Sequence, residues 1–234
     1  MSDNADEQKK VAALRAVEYV RDGMIVGLGT GSTAEHAVRA LGERVAAGLQ
    51  IVGVPTSDYI AALAREVGVP LATLEEYPQL DLTIDGADEI DLATMYAVKG
   101  RGGALLHEKI VAAASLVEII IVDESKVVTR LGQHFPVPVE VVSFGWSRTC
   151  TALQALGGTP ELRKDDKGQA YVTDSGNYLL DCHFPAIDDP PVLASKLKAI
   201  TGVVEHGLFI DLVTRVIIAA TDGIHVAEKL PTQP

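Results

Sequence analysis

A glycine-rich segment, GLGTGST at 27–33, joins a short apolar stretch to a stretch with helical spacing. The first backbone amides of a helix have no partner within the helix, and the helix dipole adds partial positive charge there. An anion such as phosphate is therefore the natural occupant of this segment. The hydroxyls of Thr30, Ser32 and Thr33 add further donors. The alternative is a tight turn in which Ser32 only caps the helix.

The same segment lacks the two common nucleotide-binding signatures. A Walker loop, GxxxxGK[ST], needs a lysine that is absent here, and the dinucleotide fingerprint GxGxxG needs a glycine where Ser32 stands. We therefore expect a compact phosphate site rather than a site for ATP or NAD. The missing third glycine also argues against a Rossmann-type dehydrogenase.

Two aspartates three residues apart, Asp85 and Asp88, begin the segment DGADEID at 85–91, which follows an apolar stretch. In open parallel sheets, ligands bind at the carboxyl ends of the strands. These carboxylates can hydrogen-bond sugar hydroxyls and transfer protons, while a solvated acidic turn and a cation site are the alternatives. The calcium-loop spacing DxDxDG is absent, which argues against calcium.

A second glycine-rich segment, KGRGG at 99–103, precedes a predicted helix that contains Glu108. Lys99 supplies a positive charge, and Glu108 supplies a carboxylate near the start of the helix. Taken alone, Glu108 is better explained as a residue that complements the helix dipole. Together, a carboxylate base, a lysine and two loops suited to phosphate are what an enediolate reaction on a sugar phosphate requires.

Charge and composition limit the partners. The 234 residues carry a formal net charge of −12. A chain this acidic is not drawn to nucleic acid or to an anionic membrane, so we expect neither as a partner. A polar N-terminal segment and apolar runs too short to span a bilayer favour a cytoplasmic protein. The six histidines show no metal-ligand spacing, so we expect no metal and no cofactor.

The elements that must position these residues alternate along the first half of the chain. Up to about residue 131, short apolar stretches alternate with helical stretches of roughly 10–15 residues, which predicts a parallel sheet built from βαβ units. The pattern then changes. The prolines of FPVPVEVV favour an edge strand or the entry to a strand, and three strand-like segments, ELRK, QAYVT and NYLLDCHF, follow. RVIIAAT at 215–221 is predicted as a last buried strand.

Five segments of the chain resemble the ribose-5-phosphate isomerase A family, in the order and at the spacing of that family. The family usually reads KGGGGAL or KGGGAAL where this chain has KGRGGAL, so Arg101 adds a side chain where glycine would leave the backbone free. The likeness covers nearly the whole chain. The five segments are GLGTGSTA at 27–34, TIDGADEID at 83–91, KGRGGALLHEKI at 99–110, VDESK at 122–126 and LGQHFPVPVEV at 131–141.

The pattern of strands and helices predicts an α/β fold. A Rossmann-like parallel-sheet domain, residues 1–131 plus 207–234, would carry an inserted smaller α+β subdomain, residues 132–206. The resemblance implies an aldose–ketose isomerase of the pentose phosphate pathway that interconverts D-ribose 5-phosphate and D-ribulose 5-phosphate through a cis-enediolate. The implied assembly is a homodimer or a dimer of dimers. A sugar-phosphate-binding regulatory domain without catalysis is the alternative.

The resemblance also transfers functional roles, position by position. Glu108 corresponds to the glutamate that moves the proton from C2 to C1. Asp85, Asp88 and Lys99 correspond to the polar cluster around the sugar, in which Asp85 relays a proton during ring opening and Lys99 stabilises charge on oxygen. The expected substrate-binding residues are Lys9, Thr30, Gly31, Ser32, Thr33, Asp85, Gly86, Ala87, Asp88, Lys99, Gly100, Arg101, Gly102 and Lys126.

Overall fold

The computed structural model describes residues 2–229, in which helices and strands are interspersed along the chain. The helices are α1 (Ser2–Val17), α2 (Ser32–Ala46), α3 (Asp58–Glu66), α4 (Leu105–Ala113), α5 (Trp146–Ala155) and α6 (Pro190–Lys198). The strands are β1 (Ile25–Leu28), β2 (Val52–Pro55), β3 (Leu82–Gly86), β4 (Glu89–Asp91), β5 (Tyr96–Val98), β6 (Glu118–Asp123), β7 (Val127–Val128), β8 (Val137–Val141), β9 (Thr159–Leu162), β10 (Tyr178–His183), β11 (Val203–His206), β12 (Leu208–Phe209), β13 (Arg215–Ala220) and β14 (Gly223–Glu228).

The main sheet has six strands in the order β14-β13-β6-β3-β1-β2. Strands β2, β1, β3, β6 and β13 run parallel, and β14 pairs antiparallel with β13. The chain leaves β1 toward β2 on one side, whereas it leaves β3 toward β6 on the other. The winding direction therefore reverses between β1 and β3, and the carboxyl ends of these two strands form the crevice in which such sheets bind ligands.

Both faces of the main sheet are covered, as the central strand β6 shows. Ile119 and Ile121 pack into a core with α1, α2 and α3, while Ile120 and Val122 pack on the opposite face with α4 and β12. Side chains alternate across a strand, so a strand buried on both faces is apolar at every position in its interior. This confirms the predicted α/β class with a parallel sheet.

Two smaller sheets complete the fold. One is antiparallel, in the order β11-β8-β10-β9, and the other has the order β12-β5-β4-β7. The core of the antiparallel sheet also contains Val98 and Leu208, which lie outside the predicted subdomain 132–206. The division into residues 1–131 plus 207–234 and residues 132–206 therefore stays a prediction about folding units.

Strand β8 is central rather than an edge strand, and of the two alternatives the entry to a strand agrees with the structure, because Pro136 directly precedes β8. It lies between β11 and β10, and all five of its residues are buried. Pro138 fits there because its ring nitrogen faces the side on which β11 has already ended. The Pro138 carbonyl on that side accepts the Gly207 N–H at 2.7 Å, and no ladder hydrogen bond is lost.

Two other strand predictions also differ from the structure. QAYVT at 169–173 makes only isolated bridges, Lys164 with Ala170 and Val172 with Tyr178. RVIIAAT forms the buried strand β13, as predicted, but a further strand, β14, follows it in a hairpin closed by the two residues 221–222. Strand β14 is mostly exposed at the sheet edge and so lacks a continuous apolar run, although Asp-Gly at 222–223 was a usable turn signal.

Candidate active site

A cleft of about 290 Å³ opens at the carboxyl ends of β1 and β3. All of the predicted site residues except Asp85 line it, although they come from five separate parts of the chain. The lining residues are Lys9, Thr30, Gly31, Ser32, Thr33, Gly86, Ala87, Asp88, Lys99, Gly100, Arg101, Gly102, Glu108 and Lys126.

One wall of the cleft is the start of α2. Gly31 occupies the N-cap position with φ 114°, and no side chain caps the helix. The interpretation of Ser32 as a cap is therefore wrong. Its hydroxyl instead accepts a hydrogen bond from Lys9 Nζ at 3.0 Å. Unpaired amides of the first turn and an ammonium group thus share one wall, which suits a phosphate dianion.

Two further cations lie above a single aromatic ring. Lys126 Nζ is 4.6 Å, and Arg101 Cζ 5.0 Å, from the centroid of the Phe135 ring. Such cation–π contacts hold both charges beside the cleft. Arg101 introduces no backbone strain, because positive φ angles in this loop occur at Gly100 and Gly103. The expected cost of replacing glycine at position 101 is therefore absent.

Lys99 lies at the centre of a buried charge cluster. Its Nζ is 2.9 Å from Asp85 Oδ2 and 3.4 Å from Glu108 Oε2. It also donates to the Gly86 carbonyl. Lys99 and Glu108 are each only 2 % exposed, so water screens the cluster weakly. The end of β3, the loop after β5 and the first turn of α4 supply the three charged groups.

Asp85 lies behind the wall of the cleft. Its carboxylate is fully buried, and Oδ1 accepts the N–H groups of Thr30 at 3.1 Å and Gly86 at 2.7 Å. The backbone approaches so closely that a Cβ at Gly29 would lie 2.2 Å from Asp85 Oδ1, so only glycine fits at that position. In this geometry Asp85 reaches the cleft through the Lys99 ammonium.

Burial and neighbouring charges shift the pKa values of the cluster in ways that suit proton transfer. Burial raises the pKa of Glu108 to about 8, against the attraction of Lys99 and with support from Asp85 and Asp88. Burial by itself would lower the pKa of Lys99, but the carboxylates of Asp85 and Glu108 raise it above its ordinary value. A carboxyl that titrates near neutral pH, beside a permanent cation, can both take up and release a proton.

Asp88 joins two walls of the cleft. Its Oδ2 accepts the Arg101 N–H at 2.9 Å, which ties the turn after β3 to the loop after β5. Burial raises the pKa of this carboxyl, although the Arg101 amide opposes the shift. The Asp88 carboxylate is therefore fixed in orientation, and it lies on the wall of the cleft that a sugar would contact.

Sequence reasoning missed a set of hydroxyls behind the phosphate wall. Thr30 Oγ1 lies 2.7 Å from Thr56 Oγ1 and 2.8 Å from Ser57 Oγ. Both partners directly follow β2, so the rule that ligands meet the carboxyl ends of strands pointed to them. They hold the Thr30 side chain in place.

Glu118, which the sequence analysis also missed, is a buried acid at the start of β6. It is 1 % exposed, and among the described residues neither of its carboxyl oxygens has a hydrogen-bond partner. Strand register places it opposite Thr83, on the face of the sheet that Asp85 shares. Burial raises its pKa well above the ordinary value, and the charge of Asp85 adds to the shift. This shift favours the protonated form of Glu118.

We expect Glu118→Leu to increase the free energy of unfolding at pH 8 by about 1–3 kcal/mol, because it removes buried polar atoms without partners. The stability of a protein with such an acid is greatest below the unfolded-state pKa of about 4.3 and falls as the pH rises toward the folded-state pKa. The gain in stability should therefore be larger at pH 8 than at pH 5.

Urea unfolding at both pH values measures this gain in stability. Glu118→Gln is the matched control that also removes the titration but keeps a polar group. A loss of stability, or an equal gain at both pH values, would contradict this account.

The described part of the chain holds neither a cluster of metal ligands nor a membrane-spanning helix. Within residues 2–229, no three His, Cys, Asp or Glu side chains are grouped so that they could hold a metal ion. No helix in this part of the chain is both long enough and apolar enough to cross a membrane.

Comparison with known proteins points to one family. The family model described as ribose 5-phosphate isomerase A (phosphoriboisomerase A) matches residues 52–223. The protein named ribose-5-phosphate isomerase A from Synechococcus sp. (strain JA-3-3Ab) is 54% identical over 227 residues, which cover 97% of this chain and 99% of the relative. A relative of the same name from Rhodopseudomonas palustris (strain HaA2) is 52% identical over 232 residues.

Solved structures agree with the sequence relatives. Ribose 5-phosphate isomerase A from Methanocaldococcus jannaschii superimposes with a TM-score of 0.92 at 39% identity, covering 95% of this chain and 99% of that one. A D-ribose-5-phosphate isomerase solved in complex with phospho-erythronic acid gives a TM-score of 0.93 at 39% identity, covering 96% and 99%. The chain therefore belongs to the ribose-5-phosphate isomerase A family.

Proposed function

We propose that this chain interconverts D-ribose 5-phosphate and D-ribulose 5-phosphate, with Glu108 as the group that moves the proton. One observation carries the proposal. The buried Glu108 carboxyl, 3.4 Å from the Lys99 ammonium, lines the same cleft as the uncapped start of α2. A base, an electrophilic cation and a phosphate site therefore share a space of about 290 Å³, which suits a five-carbon sugar phosphate.

The phosphate group is bound locally, since the chain as a whole carries a net charge of −12 and repels anions. On one wall, the amides at the start of α2 and the Lys9 ammonium donate hydrogen bonds to the phosphate. Lys126 and Arg101, stacked over Phe135, add positive charge on the other. This leaves the aldehyde end of the sugar facing Lys99 and Glu108.

The proton transfer follows from the two charges. Ionised Glu108 removes the proton from C2, negative charge develops on the sugar oxygens of a cis-enediolate, and the Lys99 ammonium stabilises that charge. The hydroxyl proton of O2 passes to O1, and Glu108 then returns the carbon-bound proton to C1, which leaves the carbonyl at C2. Asp85 has no surface in the cleft, so it acts on ring opening by holding the Lys99 ammonium, which faces the sugar oxygens. Asp88 lines the cleft and orients the sugar hydroxyls.

A regulatory domain that binds a sugar phosphate without catalysis is the second candidate. A regulatory domain would use the phosphate wall, but binding alone does not require the buried Glu108 carboxyl, whose pKa is raised to about 8. Such an acid only adds an energetic cost to a binding site.

The experiment that separates the two candidates is an assay of ribulose 5-phosphate formation from ribose 5-phosphate, in buffer with and without EDTA. We expect turnover at the same rate in both, because the proposed reaction uses side chains alone. Tight binding of ribose 5-phosphate without turnover would favour the regulatory domain. A rate that EDTA abolishes and added divalent metal restores would show a metal-dependent reaction instead.

The proposal extends to a cytoplasmic homodimer or dimer of dimers. Phe144 is 93% exposed, and the neighbouring Val142 is exposed as well, which supports an interface with a second copy. Light scattering coupled to size-exclusion chromatography determines the mass in solution.

A further inference from the structure

A side chain from the antiparallel sheet reaches the glycine-rich loop of the cleft. Arg163 directly follows β9, and its Nη1 donates to the carbonyl oxygens of Gly100 and Arg101, at 3.0 Å each. The same guanidinium donates from Nε to Asp181 Oδ2 at 2.9 Å and from Nη2 to Asp181 Oδ1. One planar group therefore binds a carboxylate of β10 and two backbone carbonyls of the loop.

This contact determines how the loop presents its backbone. Arg163 does not line the cleft, so the carbonyls of Gly100 and Arg101 are bound on a side away from the substrate. Within the loop, the Gly103 N–H donates to the Gly100 carbonyl at 3.0 Å. The N–H groups of Gly100 and Gly102 have no partner among residues 2–229 and remain available to an anion or a hydroxyl.

A second residue, Tyr171, contacts the other end of the glycine-rich loop. Gly103 has φ +88°, and a Cβ built there would lie 2.3 Å from the Tyr171 hydroxyl oxygen. Tyr171 and Arg163 thus contact the loop at two points, while Asp88 binds the Arg101 N–H from the other wall. The loop has little freedom to shift.

We propose that Arg163, held by Asp181, is a positioning residue for the isomerase reaction. It sets the loop so that the Lys99 ammonium stays between Asp85 and Glu108 while the loop amides face the substrate. Lys99 is joined directly to Gly100, so a displacement of the loop moves Nζ relative to both carboxylates. The inference rests on the proposed function, because it gives Arg163 a role in that reaction.

The chemistry of the pair explains why arginine is required. A guanidinium presents donors in a fixed fork that can satisfy a carboxylate and two carbonyls at the same time. A lysine keeps the charge but presents a single nitrogen, so it cannot hold all of these acceptors in one geometry. Arg163 and Asp181 are 15% and 21% exposed, which shields the hydrogen bonds from water.

The test is Arg163→Lys together with Asp181→Asn, compared with the wild type in kcat, KM, pH profile and melting temperature. Misplacing catalytic groups by about 1 Å costs roughly 10²-fold in rate. We expect each variant to lose about 10–100-fold in kcat. We also expect the pH at which the rate reaches half its maximum to move upward, because Lys99 then stabilises ionised Glu108 less well.

Arg215→Lys is the matched control. Arg215 also pairs with a carboxylate across two strands, Glu228 at 2.8 Å, but it lies at the opposite end of the main sheet from the cleft. It should change neither kcat nor the pH profile. The proposal is overturned if the Arg163 and Asp181 variants keep the wild-type kcat and pH profile. It is also overturned if they lose activity only in proportion to folded protein. Turnover by the wild type itself tests the proposed function separately.

Discussion

We expect Glu108→Gln to lower kcat by about 10²–10⁴-fold, the usual contribution of a general base, and to leave substrate affinity nearly unchanged. The amide keeps the shape of the side chain but cannot accept a proton from C2. In the wild type, kcat/KM should rise as the pH increases through about 8, because the Glu108 carboxyl must ionise before it acts as a base. The remaining activity of the variant should lack this dependence.

Steady-state kinetics from pH 6 to pH 9.5 measure the effect on rate, and calorimetric titration with phospho-erythronic acid measures binding separately. Glu118→Gln is the matched control. It makes the same substitution at another buried carboxyl, one that does not line the cleft, and it should leave kcat unchanged. Wild-type turnover in the Glu108 variant would refute the proposed role.

Lys99→Met should affect both catalysis and stability. Removing one donor that stabilises a developing oxyanion costs about 10²–10³-fold in kcat. The substitution also leaves the buried carboxylates of Asp85 and Glu108 without their cation, and breaking such a pair typically destabilises a protein by about 3–5 kcal/mol. Few single substitutions in this chain should be as damaging.

A double variant separates the two effects of Lys99. Lys99→Met combined with Asp85→Asn removes one uncompensated charge, so urea unfolding should show partial recovery of stability relative to Lys99→Met alone. The rate should not recover, because the cation that stabilises the enediolate is still missing. A Lys99→Met protein as stable as the wild type would show that the cluster is not the ion pair that its 2.9 Å and 3.4 Å distances indicate.

The parts of the site that were predictable from sequence depend on local chain geometry. An apolar strand, then glycines, then a stretch with helical spacing predicts that a helix begins near Gly31 and Ser32. Unpaired amides at that helix start follow from the prediction. Asp85 and Asp88 had to lie near the same crevice, because one ends and the other directly follows a strand of a parallel sheet. The resemblance of five segments to the isomerase family then identified the expected substrate.

Only the tertiary structure decided which of these groups meet the substrate and which act from behind. Asp85 and Asp88 look alike in sequence, yet one is fully buried against Lys99 and the other lines the cleft. The raised pKa of Glu108 and the orphaned carboxyl of Glu118 depend on burial, which no local pattern encodes. Arg163 contacts a loop more than 60 residues earlier in the chain. Electrostatic and hydrogen-bond energies depend on distance through space and on exclusion of water, and folding sets both.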